Sequence, residues 1–295
     1  MTLFDPSGYA RAAPTGPLVR VRLTVAYDGT DFHGFADQPG LVTVAGRLSA
    51  GLDRVLGHQV ELTGAGRTDR GVHAWGQVIS FDANAAALER VGAAGVIRRL
   101  NKLCGPEIVA RDLQVADEGF DARFSARSRR YRYRLLNTAN PDPLWRRYAW
   151  WIPEPLSVRA MQAGADALLG EHDFSSFCRR PKTRDGVEVS LVRRVVDATW
   201  SLPDSAGPQA PPGLLCFEIE SSAFCHQMVR SIVGTLVAMG SGRRTPGEML
   251  SIIRAADRAA APQIAPPHGL CLWRVSYHER PGRQQHPGRP EDHVC

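Results

Sequence analysis

Lysine is almost absent from this 295-residue chain. Lys102 and Lys182 are the only two, so nearly all of the 36 basic residues are arginine. Codon usage in a GC-rich genome produces the same bias. Chemically, it leaves cations that are planar forks suited to phosphate rather than compact point charges. Acidic residues number 30, giving a formal net charge of +6, which fits a nucleic-acid partner. No apolar run approaches the roughly 20 residues that a membrane span needs. A basic segment followed by an apolar stretch is missing near Met1, so no secretory signal is expected. The expectation is a soluble cytoplasmic protein with no membrane partner. Cysteine pairs of the C-x-x-C kind are also missing. Cys104, Cys178, Cys216, Cys225, Cys271 and Cys295 fit no zinc template and are expected as buried, reduced thiols. Cys225 and His226 are adjacent on an expected helix and do not share a face, which argues against a Cys–His dyad.

Apolar residues make up 43% of the chain, enough for a real core. Residues 1–17 and 280–295 are rich in Pro and Gly without apolar period and read as disordered tails. Between them, periodicity predicts strands over Val19–Tyr27, Val60–Gly64, Gln77–Phe81 and Ile108–Val115. Helices are expected around Val44–Val55, ended by Gly57, and over Ala85–Leu103. This is a βαββαβ order, the split βαβ unit. The second half repeats it as βαββααβ. Its strands are Ser128–Leu136, Arg193–Leu202, Leu214–Ser221 and Leu270–Tyr277. Its helices run from a Ser157 cap to Leu169, over Phe224–Met239, and after Thr245-Pro246. The fold class is α+β, two split βαβ (ferredoxin-like) halves over 18–120 and 121–279, with an active-site cleft between them.

One stretch carries chemistry. Gly64-Ala65-Gly66-Arg67-Thr68-Asp69-Arg70-Gly71-Val72-His73-Ala74 places a carboxylate between two arginines in a glycine-punctuated loop after a short strand. Glycine lets a backbone turn sharply and approach a ligand closely. Flanking cations favour the charged carboxylate. Such an anion can act as a nucleophile on a phosphate-bearing substrate, or simply sit in a solvated surface turn.

The same stretch closely resembles the G-R-T-D-x-G-V-H-A motif of the tRNA pseudouridine synthase A family. Five further segments resemble that family in order, across about residues 19–277. They are Val25-Ala26-Tyr27-Asp28-Gly29-Thr30 with Phe32-His33-Gly34-Phe35; Tyr131-Arg132-Tyr133; Gly170-Glu171-His172-Asp173-Phe174-Ser175-Ser176-Phe177; Phe224 to Gly234; and Ala265 to Leu272. The resemblance implies two halves with joined antiparallel sheets, a homodimer, and a tRNA substrate modified at uridines 38 to 40 of the anticodon stem-loop. It implies an isomerase that needs no metal and no cofactor.

Residue by residue, the resemblance implies that Asp69 is the catalytic aspartate and that Tyr131 stacks on the target uracil. Tyr131 shares a face with Tyr133 and Leu135, and Arg130, Arg132 and Arg134 share the other. Arg230, alone among apolar helix residues, is the expected partner of Asp69, because a buried guanidinium needs an anion. Arg67 is expected to contact phosphates around a flipped nucleotide, or to take its place in the stem. Leu270, or Leu272 on the same face, is expected to pack on the uracil, and His73 to belong to the loop scaffold. Arg123, Arg127, Arg129, Arg179, Arg180, Lys182 and Arg184, interleaved with Phe124, Phe177 and Tyr131, form candidate phosphate contacts. The chain departs from the family at Ala36, where a glutamine is usual, so RNA contacts made by that side chain are in question. Two other readings stay open: a synthase with a different RNA target, and an RNA-binding protein without catalysis, against which Asp69 argues.

Overall fold

Val21, Leu23 and Val25 recur at period two in β1 (Leu18–Tyr27), and all three are fully buried. That alternation fixes the inner face of the first sheet. The computed structural model describes residues 13–179, 189–201 and 210–277. It divides into two compact units, Met1–Ala126 and Arg127–Cys295. The expected tail 280–295 and residues 1–12 lie outside the described residues, as do Arg180, Lys182, Arg184, Cys295 and most of the loop before Leu214. Residues 13–17 are described, and the Ala85 N–H donates to the Pro17 carbonyl at 2.9 Å.

In the first unit, α1 (Val44–Leu56) starts at Thr43, whose hydroxyl accepts the Gly46 N–H at 3.2 Å. It ends at Gly57, whose φ of 82° is the left-handed cap that glycine supplies. β2 (Leu62–Gly64) and β3 (His73–Asn84) follow, with α2 (Ala85–Val91), α3 (Ala93–Cys104) and β4 (Ile108–Val115). β1 runs antiparallel to both β3 and β4, and β2 runs antiparallel to β3. The strand order is therefore β4-β1-β3-β2. The single helix expected over Ala85–Leu103 is two. Gly92, at φ 70° and ψ 152°, lies outside helical space and separates α2 from α3. α1 and α3 approach closely at Gly51, where an added Cβ would lie 2.7 Å from Leu100 Cδ1.

The second unit opens one residue into β5 (Ala126–Leu136), whose end pairs in parallel with the short β6 (Trp150–Trp151). α4 (Val158–Asp166) is capped by Ser157, which accepts the Ala160 N–H at 3.2 Å. It stops at Asp166, short of the expected Leu169. Gly170 opens a strand, β7 (Gly170–Asp173), which the sequence reading did not contain. β8 (Val192–Ser201) and β9 (Leu214–Ser221) follow, then α5 (Met228–Gly240), α6 (Glu248–Ala255) and β10 (Leu270–Tyr277). The strand order is β10-β5-β9-β8-β7, and the pairs β5–β9, β9–β8 and β8–β7 are antiparallel. α5 begins at Met228 rather than Phe224, because Gln227 at φ 66° breaks the helical path. Glu248 reaches back to the Thr245 N–H at 2.7 Å, half of a capping box. Tyr133, Phe174, Phe177 and Phe217 are the largest fully buried side chains of this core.

On β5 the arginine face is occupied. Arg130 lies opposite Glu220 and Arg132 opposite Glu218. Arg130 pairs with Glu218 at 2.6 Å, Glu220 at 2.7 Å and Asp197 at 2.9 Å. Arg132 pairs with Glu218 and lies 3.7 Å over the Trp273 ring. Arg130 and Arg132 of the expected basic face thus belong to a cross-strand ion network, in which each guanidinium has a carboxylate partner.

Candidate active site

The loop carrying Asp69 is held from several directions by the first unit. Ala65 N–H donates to the Val78 carbonyl at 2.8 Å, extending the β2–β3 pairing by one bond. The buried Gln77 amide donates to the Gly66 carbonyl at 2.7 Å. Thr68 is 7% exposed and fixed twice: its hydroxyl lies 2.8 Å from the Tyr27 hydroxyl, and its carbonyl accepts the Phe35 N–H at 3.0 Å. Val72 N–H then donates to the Asp69 carbonyl at 3.1 Å, with Gly71 at φ 77°. That is a turn needing positive φ at its third residue, which is why glycine stands there.

The segment facing this loop is cut to fit it. A Cβ on Gly29 would sit 1.9 Å from the Val72 carbonyl oxygen. One on Gly64 would sit 2.4 Å from the Phe35 ring. His73 Nδ1 lies 3.1 Å from the Gly29 nitrogen, which donates to it, and 3.0 Å from Asp28 Oδ1. His73 therefore does stand in the loop scaffold. Phe35 is 4% exposed. Between these supports, Asp69 is half-buried while Arg67 and Arg70 are exposed on either side.

Tyr131, Arg230 and Leu270 all belong to the second unit. Tyr131 is 7% exposed and packs edge-to-face against Phe224, with ring centroids 5.0 Å apart. Leu270 starts β10, the neighbour of β5, and is 6% exposed; Leu272 is fully buried. Arg230 sits in the first turn of α5, half-buried, and its Nε donates to the Ala265 carbonyl at 2.8 Å. The reverse bond, Ala265 N–H to the Arg230 carbonyl at 3.0 Å, closes a two-way clasp between α5 and the segment leading into β10. Tyr133 donates to the Pro266 carbonyl at 2.8 Å in the same region. Burial pushes the Tyr133 hydroxyl well above its ordinary pKa, and the Arg230 charge pulls part of the way back. Tyr133 is thus a fixed donor, and the Arg230 charge is felt inside this core.

The basic candidates divide. Arg123, Arg127 and Arg179 are exposed, and Arg123 lies 5.2 Å from the centre of the Phe124 ring, itself 80% exposed. Arg129 is buried and donates to the Ser222 carbonyl at 2.8 Å. Phe177 is fully buried, so it is core rather than an aromatic platform for RNA. Among the described residues no group of three or more His, Cys, Asp or Glu is placed to hold a metal ion, and no helix is long and apolar enough to cross a membrane.

The sequence pattern of the tRNA pseudouridine synthase family matches residues 23–117 and 165–278, spans that contain Arg67, Asp69, Arg230 and Leu270. The chain belongs to that family. Its similarity extends through whole relatives. A tRNA pseudouridine synthase A of Frankia casuarinae is 43% identical over 268 residues, 89% of this chain and 91% of its own length. One from Brevibacillus brevis is 40% identical over 264 residues, 88% of this chain and 99% of its own. One from Corynebacterium glutamicum is 41% identical over 266 residues, 88% and 89% respectively. Within the synthase family pattern, two scaffold residues went unremarked in the sequence reading, Thr68 and Gln77. Their signal was weak: a hydroxyl inside the motif and a lone polar residue in an apolar strand.

Proposed function

We propose that this protein is a cytoplasmic isomerase that converts uridine to pseudouridine in the anticodon stem-loop of tRNA, at positions 38 to 40. The observation that carries this reading is Asp69, standing in a glycine loop anchored through Thr68, within a chain belonging to the tRNA pseudouridine synthase family. The reaction breaks the N1–C1′ bond of uridine, turns the base and forms a C5–C1′ bond. The C5 proton leaves and N1 gains one, so the reaction is redox-neutral and imports no group. Asp69 serves either as a nucleophile toward base or sugar or as the counter-charge to a developing ribosyl cation.

Around it, Arg230 is the ion-pair partner of Asp69, Tyr131 stacks on the uracil, Leu270 packs on the base, and Arg67 contacts the backbone of the flipped nucleotide. The first unit carries the fourth, first, third and second strands of a split βαβ fold in that lateral order, and the second repeats it once β6 and β7 are set aside, which supports two ferredoxin-like halves. The working form is a homodimer. Purified protein incubated with tRNA carrying tritium at uridine C5 should release tritium into water, and mapping of the product should place pseudouridine at 38 to 40. Binding without tritium release would leave an RNA-binding protein; release with modification elsewhere would change the target.

A further inference from the structure

Two thiols that no sequence spacing connects come together in the second unit. Cys178 follows the short 3-10 turn Ser175–Phe177, and Cys225 stands just ahead of α5. Each thiol is the largest single influence on the ionisation of the other. The backbone beside them is tied as well, the Arg179 N–H donating to the His226 carbonyl at 3.1 Å. Cys178 is 1% exposed, whereas Cys225 is only half-buried, so one thiol faces solvent and the other waits behind it.

We propose that Cys178 and Cys225 form a dithiol that hydrogen peroxide oxidises to an intramolecular disulfide. The Cys225 thiolate attacks one peroxide oxygen, the O–O bond breaks, and the leaving hydroxide takes a proton to become water. Cys178 sulfur then attacks the Cys225 sulfenic acid, a second water leaves, and the S–S bond forms. Two thiols lose two protons and two electrons, and one peroxide becomes two waters.

The local electrostatics favour this division of labour. The neighbouring Cys178 thiol lowers the Cys225 thiol pKa most. Burial opposes the shift, Arg193 adds to it and Asp173 works against it. The Cys225 thiol, with burial, raises Cys178. Exposure makes the same choice: the half-buried Cys225 is the attacking thiolate and the buried Cys178 the resolving thiol. The remaining described cysteines offer no such pair. Cys104 is 1% exposed and its thiol is pushed up to about 11 by burial, while Cys216 and Cys271 are buried.

The disulfide would also reach the site. Cys225 adjoins Phe224, which packs on Tyr131, and precedes the α5 turn that bears Arg230. This effect on turnover rests on the roles proposed for Tyr131 and Arg230; the bond itself does not. The test treats the reduced full-length protein with hydrogen peroxide, digests it without reductant and maps linked peptides by mass spectrometry, with turnover on tRNA read in parallel. The expected result is a Cys178–Cys225 linked peptide and a loss of turnover in proportion to the linked fraction, reversed by dithiothreitol. Cys225→Ser should form no link and keep its turnover under the same treatment. Peroxide that leaves the pair unlinked, or that drives Cys225 to sulfinic acid beside a free Cys178, overturns the dithiol. Linked protein with full turnover overturns the coupling to the site. The roles of Tyr131 and Arg230 are judged separately, by the variants discussed below.

Discussion

Tyr27 and Thr68 meet hydroxyl to hydroxyl at 2.8 Å, buried, from segments 41 residues apart. The contact joins the end of the first strand to the residue before the candidate catalytic carboxylate. It is a positioning bond: neither hydroxyl needs to touch the substrate for the loop to depend on it.

Tyr27→Phe removes that bond and nothing of the ring. Taking one partner from a buried hydroxyl costs about 1–3 kcal/mol, so the denaturant midpoint should fall. Turnover should fall more than tRNA affinity does, because the Asp69 loop loses a support while the phosphate contacts stay. Single-turnover kinetics beside a binding isotherm separate the two. Equal kcat in Tyr27→Phe and the parent would show that the loop's other bonds hold Asp69 in place without it.

The Glu220 carboxylate gives a pH signature. Burial pushes its pKa up, but hydrogen bonds from Ser128 and Arg130 outweigh that and hold it below the ordinary 4.5. A depressed carboxyl contributes stability that is present above the unfolded pKa and is lost as pH falls through the folded one. The parent should therefore unfold at higher denaturant than Glu220→Gln near neutrality, and the gap should close as pH drops below 4.5. Chemical denaturation across that range reads it directly. A gap that stayed constant with pH would mean the network does not distinguish the charged carboxylate.

How much of this could be read from the chain depends on where the information lies. Two strands were legible to the residue: β4 and β9 fall at Ile108–Val115 and Leu214–Ser221, as expected from the sequence. Helix edges failed where a single backbone angle decides. Gly92 cuts one expected helix into α2 and α3, and Gln227 delays α5 by a turn, yet nothing in the local apolar pattern reports a φ. The short β6 and β7 escaped because two to four residues carry too little period. At the site, charged and aromatic residues were legible by type. The Tyr27–Thr68 bond and the Cys178–Cys225 contact were not, since each joins residues far apart in sequence.

Tyr131 and Arg132 should separate by face. Tyr131→Phe keeps the ring and removes the hydroxyl. If that hydroxyl assists proton removal from C5, the rate falls by about 10²–10⁴. If Tyr131 only stacks, Phe works nearly as well and Tyr131→Ala loses about 1–3 kcal/mol of base stacking. Arg132→Ala should leave the chemical step intact and lower the melting temperature, because Arg132 is engaged by Glu218 and Trp273. Arrested chemistry in Arg132→Ala would reverse the face assignment for β5.

Arg230→Ala removes both the donor to the Ala265 carbonyl and the proposed partner of Asp69. Stability and turnover should fall together. The stability loss should stay below the roughly 3–5 kcal/mol of a fully buried pair, since Arg230 is only half-buried. Thermal melts and tritium release on the same preparation test this. A stable, fully active Arg230→Ala enzyme would take Arg230 out of the site.

Whether Asp69 performs the chemistry is read by tritium release from C5-labelled tRNA with Asp69→Asn, with binding measured on the same preparation. The side chains are nearly the same size, so the loop held by Thr68 should survive. Phosphate contacts dominate affinity for nucleic acid, so tRNA binding should remain within about tenfold of the parent. Turnover should vanish. Release near the parent rate, from a variant that binds tRNA normally, would contradict the account at its core.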